Sequence, residues 1–285
     1  MKKVLVLGAD GQLGKTLFLL SKQTDIDFSF YSKYKADITN KENLRNVFHK
    51  TYFEYCINCA AYTNVEKAED EIEKAVLINA TGVRNIAEVC KENNTKLIHI
   101  STDYVFDGTN NKPYKTTDLT NPINQYGKSK LQGEKFVEGV LKEHYIVRTS
   151  WLYSPFGKNF VKTIIKHIQN DTNLKITTKE RGTPTSCLEL SRFIFFVITR
   201  DNIPFGIYHF SAKGSTTWYD FAIEIVENYN PKKVSNISAT DNFKTQSQRP
   251  VYSVLDISKT EKFYGQLPKW QHNLKEVLKE LKMLP

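Results

Sequence analysis

The sequence predicts an α/β protein built on a doubly wound parallel sheet, with a smaller, interleaved C-terminal domain. Three observations carry this. Through the first half of the 285 residues, short apolar runs alternate with longer helical patterns, which calls for parallel strands covered by helices on both faces. The first apolar run passes straight into a glycine-rich turn and a helix start, "VLVLGADGQLGK". The later clusters of chemically capable residues follow directly on the ends of apolar runs, where ligands gather in open sheets of this kind.

The elements follow in order. "KVLVLGA" is a strand, with a helix beginning at Leu13; "DFSFYS" is the second strand, followed by a helix from Lys41 to Lys50. "YCINCAA" is an apolar run of buried-strand type, and a helix from Ile72 to Asn93 leads to the strand "KLIHIST". Asn121 and Pro122 form a turn before a helix carrying Tyr126; Leu131, Phe136 and Val137 supply its docking positions, while Gly127 and Gly133 weaken it. "YIVRTSW" closes the series. Beyond Trp151 the order gives way to helices, short strands and turn-rich stretches such as "SAKGSTTW" and "TDNFKTQSQRP". The dinucleotide-binding type of domain therefore spans 1–150, with a returning segment near 186–211, where a helix from Leu188 to Thr199 precedes the strand-like "FGIYHFS". Residues 151–285 belong mainly to the second domain, expected to serve a substrate.

Composition narrows the function classes. With 40% hydrophobic and 25% charged residues the chain is of soluble globular type. The formal net charge is +9, but the lysines are interspersed with Glu and Asp rather than gathered in one block. This argues against nucleic acid and suits an anionic small molecule. Cys56 and Cys59 form a CxxC, but within an apolar strand side chains three apart point to opposite faces, so neither zinc nor redox chemistry is expected. No metal-ligand spacing is evident, and no metal is expected. The basic residues of "MKKVLVLGADG" precede only a short apolar run, unlike a signal peptide, and no run approaches the ~20 residues of a membrane span. The expectation is a cytoplasmic protein without membrane partners; a homodimer is compatible with the sequence.

Gly8, Gly11 and Gly14 let the backbone approach a diphosphate at a helix N-terminus, which adds free amide donors and a favourable dipole. The second strand runs out in "FYSKYK", with no carboxylate before Asp37 to grip ribose hydroxyls. Ser32 and Lys33 there suit a 2′-phosphate, so NADPH is expected, with NADH as the alternative. Ser101, Thr102 and Asp103 follow the strand "KLIHIST"; a hydroxyl at this place aligns a substrate carbonyl with a proton donor, or else caps a turn. Tyr126 and Lys130 lie four apart, on one helix face, where an ammonium lowers a phenol's pKa and readies it for proton transfer.

Taken together, "GADGQLG", "NCAAYTNVEKAE", "STDYVFDG", "YGKSKLQGE" and "VRTSWLY" resemble the extended short-chain dehydrogenase/reductases, and among them the dTDP-4-dehydrorhamnose reductase group. "NFVKTII", "GTPTS", "STTWYDFA" and "RPVYSVL" extend the resemblance over nearly the whole chain. The resemblance implies a Rossmann-like fold and reduction at C4 of a nucleotide-linked 6-deoxy-4-keto sugar. It implies Tyr126 as proton donor, Lys130 as partner of the nicotinamide ribose and Thr102 as the positioning hydroxyl. Gln12 and Leu13 would line the diphosphate turn, Asp37 and Ile38 the adenine, and Ala60, Ala61 and Tyr62 the cofactor's edge. Trp151 would pack on the sugar nucleotide, unless it is core between domains, with Asp103 nearby. Arg249 would clamp the substrate diphosphate, unless it is a solvated charge, and Asn159 with Phe160 would line the same cleft. Before "GTPT" the group usually carries an Asp-Gln pair, where this chain has Lys179 and Glu180, followed by Arg181; the departure concerns substrate contacts, not hydride chemistry. A reductase of another 4-keto sugar nucleotide, and a regulatory subunit similar to the methionine adenosyltransferase beta subunit, are the competing functions.

Overall fold

The central sheet starts from β1 (Lys3–Leu7), in which Val4, Leu5, Val6 and Leu7 are all buried. Such continuous burial marks a strand covered on both faces. The chain continues through α1 (Gln12–Ser21), β2 (Asp27–Tyr31), α2 (Lys41–Lys50) and β3 (Tyr55–Asn58). Then α3 (Ile72–Val76) passes through a π turn, Leu77–Thr81, into α4 (Gly82–Glu92), so the long helix expected over 72–93 carries a local widening. β4 (Lys96–Thr102), α5 (Gln125–Val140) and β5 (His144–Thr149) complete the first half. The chain is described here as a computed structural model covering residues 1–242 and 245–283. Phe243 and Lys244 of the turn-rich stretch, and the last two residues of the 151–285 segment, lie outside the described residues.

The second half contains β6 (Leu152–Tyr153), α6 (Phe160–Gln169), β7 (Leu174–Thr177), β8 (Arg181–Gly182) and β9 (Thr185–Ser186). These are followed by α7 (Cys187–Thr199), β10 (Gly206–His209), β11 (Thr216–Thr217), α8 (Trp218–Tyr229), β12 (Ile237–Thr240), α9 (Ser258–Tyr264) and α10 (Trp270–Met283). Six parallel strands form one sheet in the order β10-β5-β4-β3-β1-β2. The returning segment is therefore part of it, with β10 beside β5 and α7 packed on α1.

Alternation along each strand divides the core. Val4, Val6, Ile57, Ile98 and Val147 face Leu13 and Leu17 of α1 and Leu190, Phe193 and Val197 of α7. Leu5, Leu7, Cys56, Leu97 and Ile146 face α2, α4 and α5 on the other side. Cys56 and Cys59 fall on opposite faces, as their spacing predicts. A third cluster joins α6, α8 and α10 through Val161, Ile164, Phe221, Ile225, Leu274 and Val277. The chain reverses its direction of travel across the sheet between β1 and β3, and the crevice at the carboxyl ends of these strands is where such a sheet holds ligands.

Candidate active site

The turn after β1 is shaped by glycines with no alternative. Gly8 has φ +78°, and a Cβ on it would meet the Ala60 amide nitrogen at 2.5 Å. A Cβ on Gly14 would meet the Gly8 carbonyl oxygen at 2.5 Å. Gly11 has no side chain with which to cap α1, so the first-turn amides are left for a ligand. Beside this turn lies a cleft of about 240 Å³ lined by Gly8, Gly11, Lys33, Asp37, Ile38, Ala60 and Ala61, all singled out in the sequence. Asp10, Ala36, Thr39, Cys59 and Ile78 also line it; Asp10 and Cys59 stood within quoted motifs but had been given no part in the site. Leu13 instead enters the core, Ser32 holds the local turn through its carbonyl, which accepts from the Lys35 and Ala36 amides, and Tyr62 is tied to Asn79. Burial would push the Asp37 carboxyl up, but the hydroxyl and amide of Thr39, with the Lys33 charge, outweigh it and hold it below its usual range.

The helix α5 begins at Asn124, whose Oδ1 accepts from the Gly127 amide at 2.8 Å, as an N-cap should. Of the apolar residues expected to dock the helix, Val137 enters the core and Leu131 packs on a second cluster, and the glycines add a close approach. A Cβ on Gly127 would lie 2.2 Å from the Tyr104 carbonyl oxygen, and one on Gly133 2.1 Å from that of Asn79. The residues that weaken the helix locally are those that let it approach the turn after β4 and the π turn. Asn79 is then a hub: its Nδ2 donates to Tyr62 O and Ser129 Oγ at 3.0 Å each, and its Oδ1 accepts from the Tyr62 amide at 2.8 Å.

Thr102 and Asp103 are buried at the end of β4. The Thr102 hydroxyl donates to Asp103 Oδ1 at 3.1 Å and accepts from the Tyr104 amide at 3.2 Å, so the turn-capping role is real. The Tyr126 phenol lies near enough to the Thr102 hydroxyl to feel it. Lys130 is buried, and its Nζ donates to the Ile100 carbonyl at 2.7 Å. The expected depression of the phenol is not found: burial pushes Tyr126 up to about 12, against the opposing effect of the Thr102 hydroxyl, and Asp103 adds to the rise. Burial also pushes Lys130 down to about 8, offset in part by Glu134. Tyr126 thus keeps its proton at neutral pH, the state a proton donor needs.

Burial pushes the Asp103 carboxyl up to about 7, although Ser253 and Thr102 hydrogen-bond to it. Its Oδ2 has no partner among the described residues. An unfolded Asp titrates near ~3.9, so between roughly pH 4 and 7 the folded chain binds the proton more tightly and stability falls as pH rises. Asp103→Asn is therefore expected to stabilise at pH 8 by up to ~4 kcal/mol and to change little at pH 4. Urea unfolding at the two pH values checks this; equal effects at both would refute it.

Trp151 has φ +47°, an uncommon backbone state for a bulky residue and one that recurs at functional sites. Its indole stacks on Trp218, centroids 3.6 Å apart and planes 9° from parallel, and covers Gly182, where a Cβ would meet the ring at 2.6 Å. A recess of about 220 Å³ beside it is lined by Phe160, Lys175, Ile176, Thr177, Trp218 and Arg249. Arg249 is not a solvated charge: its Nη2 donates to Glu66 Oε1 at 2.7 Å, and its buried Nε has no partner among the described residues. Glu180, at the departure from the Asp-Gln pair, has a buried Oε2 without a partner among the described residues, and its charge is felt at Tyr104 and Arg249. Asn159 caps α6, and its Nδ2 donates to Gln12 Oε1 and Ser154 O, both at 2.9 Å, so it joins the glycine turn to the second half. No helix of the described residues is long and apolar enough to cross a membrane.

Comparison with known proteins identifies the family. The family model described as RmlD substrate binding domain matches residues 1–283. A dTDP-4-dehydrorhamnose reductase of Aggregatibacter actinomycetemcomitans is 35% identical, covering 97% of this chain and 98% of its own. That of Escherichia coli K12 is also 35% identical, over 98% and 97%. Among solved structures, a dTDP-4-dehydrorhamnose reductase from Clostridium acetobutylicum superposes with TM-score 0.92 at 37% identity, covering 99% of this chain and 100% of that one. A Bacillus anthracis dTDP-4-dehydrorhamnose reductase in complex with NADP superposes with TM-score 0.93 at 36% identity, over 98% and 100%.

Proposed function

The chain belongs to the RmlD substrate binding domain family, and from that premise we propose that it reduces the C4 keto group of dTDP-4-dehydro-L-rhamnose to give dTDP-L-rhamnose, using NADPH. The observation that carries the reading is a phenol, Tyr126, that keeps its proton up to about 12 beside the Thr102 hydroxyl, in a fold whose first strand ends in a glycine-lined cleft.

The cofactor supplies the hydride. Gly8, Gly11, Gln12, Leu13 and Gly14 form the turn that holds its diphosphate, with the α1 dipole favouring the negative charge. Lys33, with Ser32 beside it, would take the 2′-phosphate, Asp37 and Ile38 would border the adenine, and Ala60 and Ala61, with Tyr62 following them, would form another edge of the cofactor site. Tyr126 gives its proton to the C4 oxygen as negative charge develops there, and Thr102 orients the phenol for the transfer. Lys130, one helical turn along, stabilises Tyr126 once the proton has left. Trp151 offers an aromatic face and Asp103 a polar contact to the sugar nucleotide, and Arg249 reaches its diphosphate if Glu66 yields. In this reading the sheet unit of 1–150, with its returning segment, serves the cofactor, and most of 151–285 serves the substrate. A cytoplasmic location accords with a nucleotide sugar and a nicotinamide dinucleotide as reactants.

NADPH oxidation measured against a panel of 4-keto sugar nucleotides tests the reading. The dTDP-4-dehydro-L-rhamnose should have the highest kcat/KM; faster turnover of another sugar would move the assignment to that sugar. Because Lys33 lines the cleft, kcat/KM for NADPH should exceed that for NADH by about tenfold, a difference of ~1.4 kcal/mol. Lys33→Ala should narrow the gap, and equal values for the parent protein would remove Lys33 from cofactor selection.

A further inference from the structure

Behind the Tyr126 helix lies a buried ion pair for which the proposed chemistry has given no role. Glu134, fully buried, accepts from Arg148 Nε at 3.0 and 3.1 Å and from Arg148 Nη2 at 2.7 Å, and the Arg148 side chain is 3% exposed. Glu134 also accepts from the Ser101 hydroxyl. In the sheet register Ser101 stands directly opposite Arg148, so one carboxylate ties together the ends of two strands.

The three residues follow one face of α5. Tyr126, Lys130 and Glu134 are spaced four apart, and each engages a different one of three consecutive residues of β4. Lys130 donates to the Ile100 carbonyl, Glu134 accepts from Ser101, and Tyr126 meets Thr102. A helix displaced by one residue would break all three contacts. Stability is a poor reason for the pair, because desolvating two charges costs about as much as their attraction returns, and an apolar pair of the same volume serves as well.

We propose that Glu134 is a positioning residue for the reduction: its carboxylate locks the strand end that carries Thr102 to the helix that carries Tyr126, and sets a negative charge one turn beyond Lys130. The inference rests on the reductase reading above. The other titratable groups around Lys130 carry little compensating charge: burial keeps the His99 imidazole neutral and the Cys59 thiol protonated, and Tyr126 holds its proton. On the far side of the pair, burial, with the Arg148 charge, holds the His209 imidazole down to about 3. Glu134 is thus the anion that offsets the burial of Lys130.

Two variants test this. Glu134→Gln keeps the shape and the acceptor for Ser101 but strands the Arg148 charge, so its thermal stability should drop; combining it with Arg148→Met removes the stranded charge and should restore the fold. In both, the Lys130 amine, followed by NMR of the cofactor-free protein with 13C-labelled lysine, should titrate on the order of one unit lower than in the parent. The alkaline limb of kcat should move by the same amount, a loss of about fivefold at pH 8 with little change at pH 6 and a nearly constant KM for NADPH. If the single variant fails to fold, the double variant decides. A double variant with the parent's stability, lysine titration and pH profile would reduce the pair to a structural filler and overturn the proposal. A parent protein without reductase activity would count against the function proposed above, whereas the lysine titration would still judge Glu134 by itself.

Discussion

Tyr126→Phe is expected to lower kcat by at least ~10²-fold while leaving the affinity for NADPH close to that of the parent protein. The substitution removes one oxygen and keeps the ring, which packs edge-on against Tyr104 with centroids 5.7 Å apart, so the helix has no reason to move. What is lost is a proton held up to about 12 next to the place where an alkoxide would form, and positioned proton transfer is worth roughly 10²–10⁴ in rate. Thr102→Val should cost less in rate but more in stability, because the same hydroxyl also bonds Asp103 and the Tyr104 amide. Single-turnover kinetics, with cofactor binding followed by fluorescence, separates the two effects. Turnover of Tyr126→Phe near the parent level would remove the phenol from the mechanism and leave proton delivery to solvent or to Asp103.

What could be read from the sequence was local. The glycine turn was legible because its demands fall within seven residues: a positive φ at Gly8, and close backbone approach at Gly8 and Gly14. Tyr126 and Lys130 were legible because helical spacing puts them on one face, and the returning strand because Gly206–His209 follows a helix in the same alternation. What escaped depends on partners that the fold brings from far away. Trp151 could be named from its motif, but not its stack on Trp218. Arg249 could be named, but not its pairing with Glu66, far away in the sequence. Asn79 was hidden because its role comes from a π turn that no side-chain periodicity announces. Glu134 stood in a quoted motif, yet its meaning needs the sheet register that sets Arg148 opposite Ser101. The raised pKa of Tyr126 was missed for the same reason: spacing reports a lysine on the same face, while the burial that raises the phenol belongs to the assembled fold.

The glycines of α5 give the second large effect, because two physical arguments predict opposite signs. On helix propensity alone, Gly133→Ala should stabilise by ~1 kcal/mol, since alanine loses less backbone freedom on folding. In the fold, however, the new Cβ would stand 2.1 Å from the Asn79 carbonyl oxygen, and the obstacle is backbone of the π turn rather than a movable side chain. Close packing cannot absorb that contact without shifting the helix, so the expected net result is a loss of about 3 kcal/mol. Gly139 in the same helix supplies the control: a Cβ there meets nothing within 4 Å, so Gly139→Ala should show the propensity gain by itself. Denaturant unfolding of both variants decides the matter, and a Gly133→Ala protein as stable as the parent would refute the close approach. Function should follow stability, for Gly133 lies between Lys130 and Glu134, and Asn79 also holds the backbone of Tyr62. A helix pushed outward at Gly133 carries Tyr126 and Lys130 away from β4, so whatever fraction of Gly133→Ala remains folded should show reduced kcat, whereas Gly139→Ala should turn over like the parent.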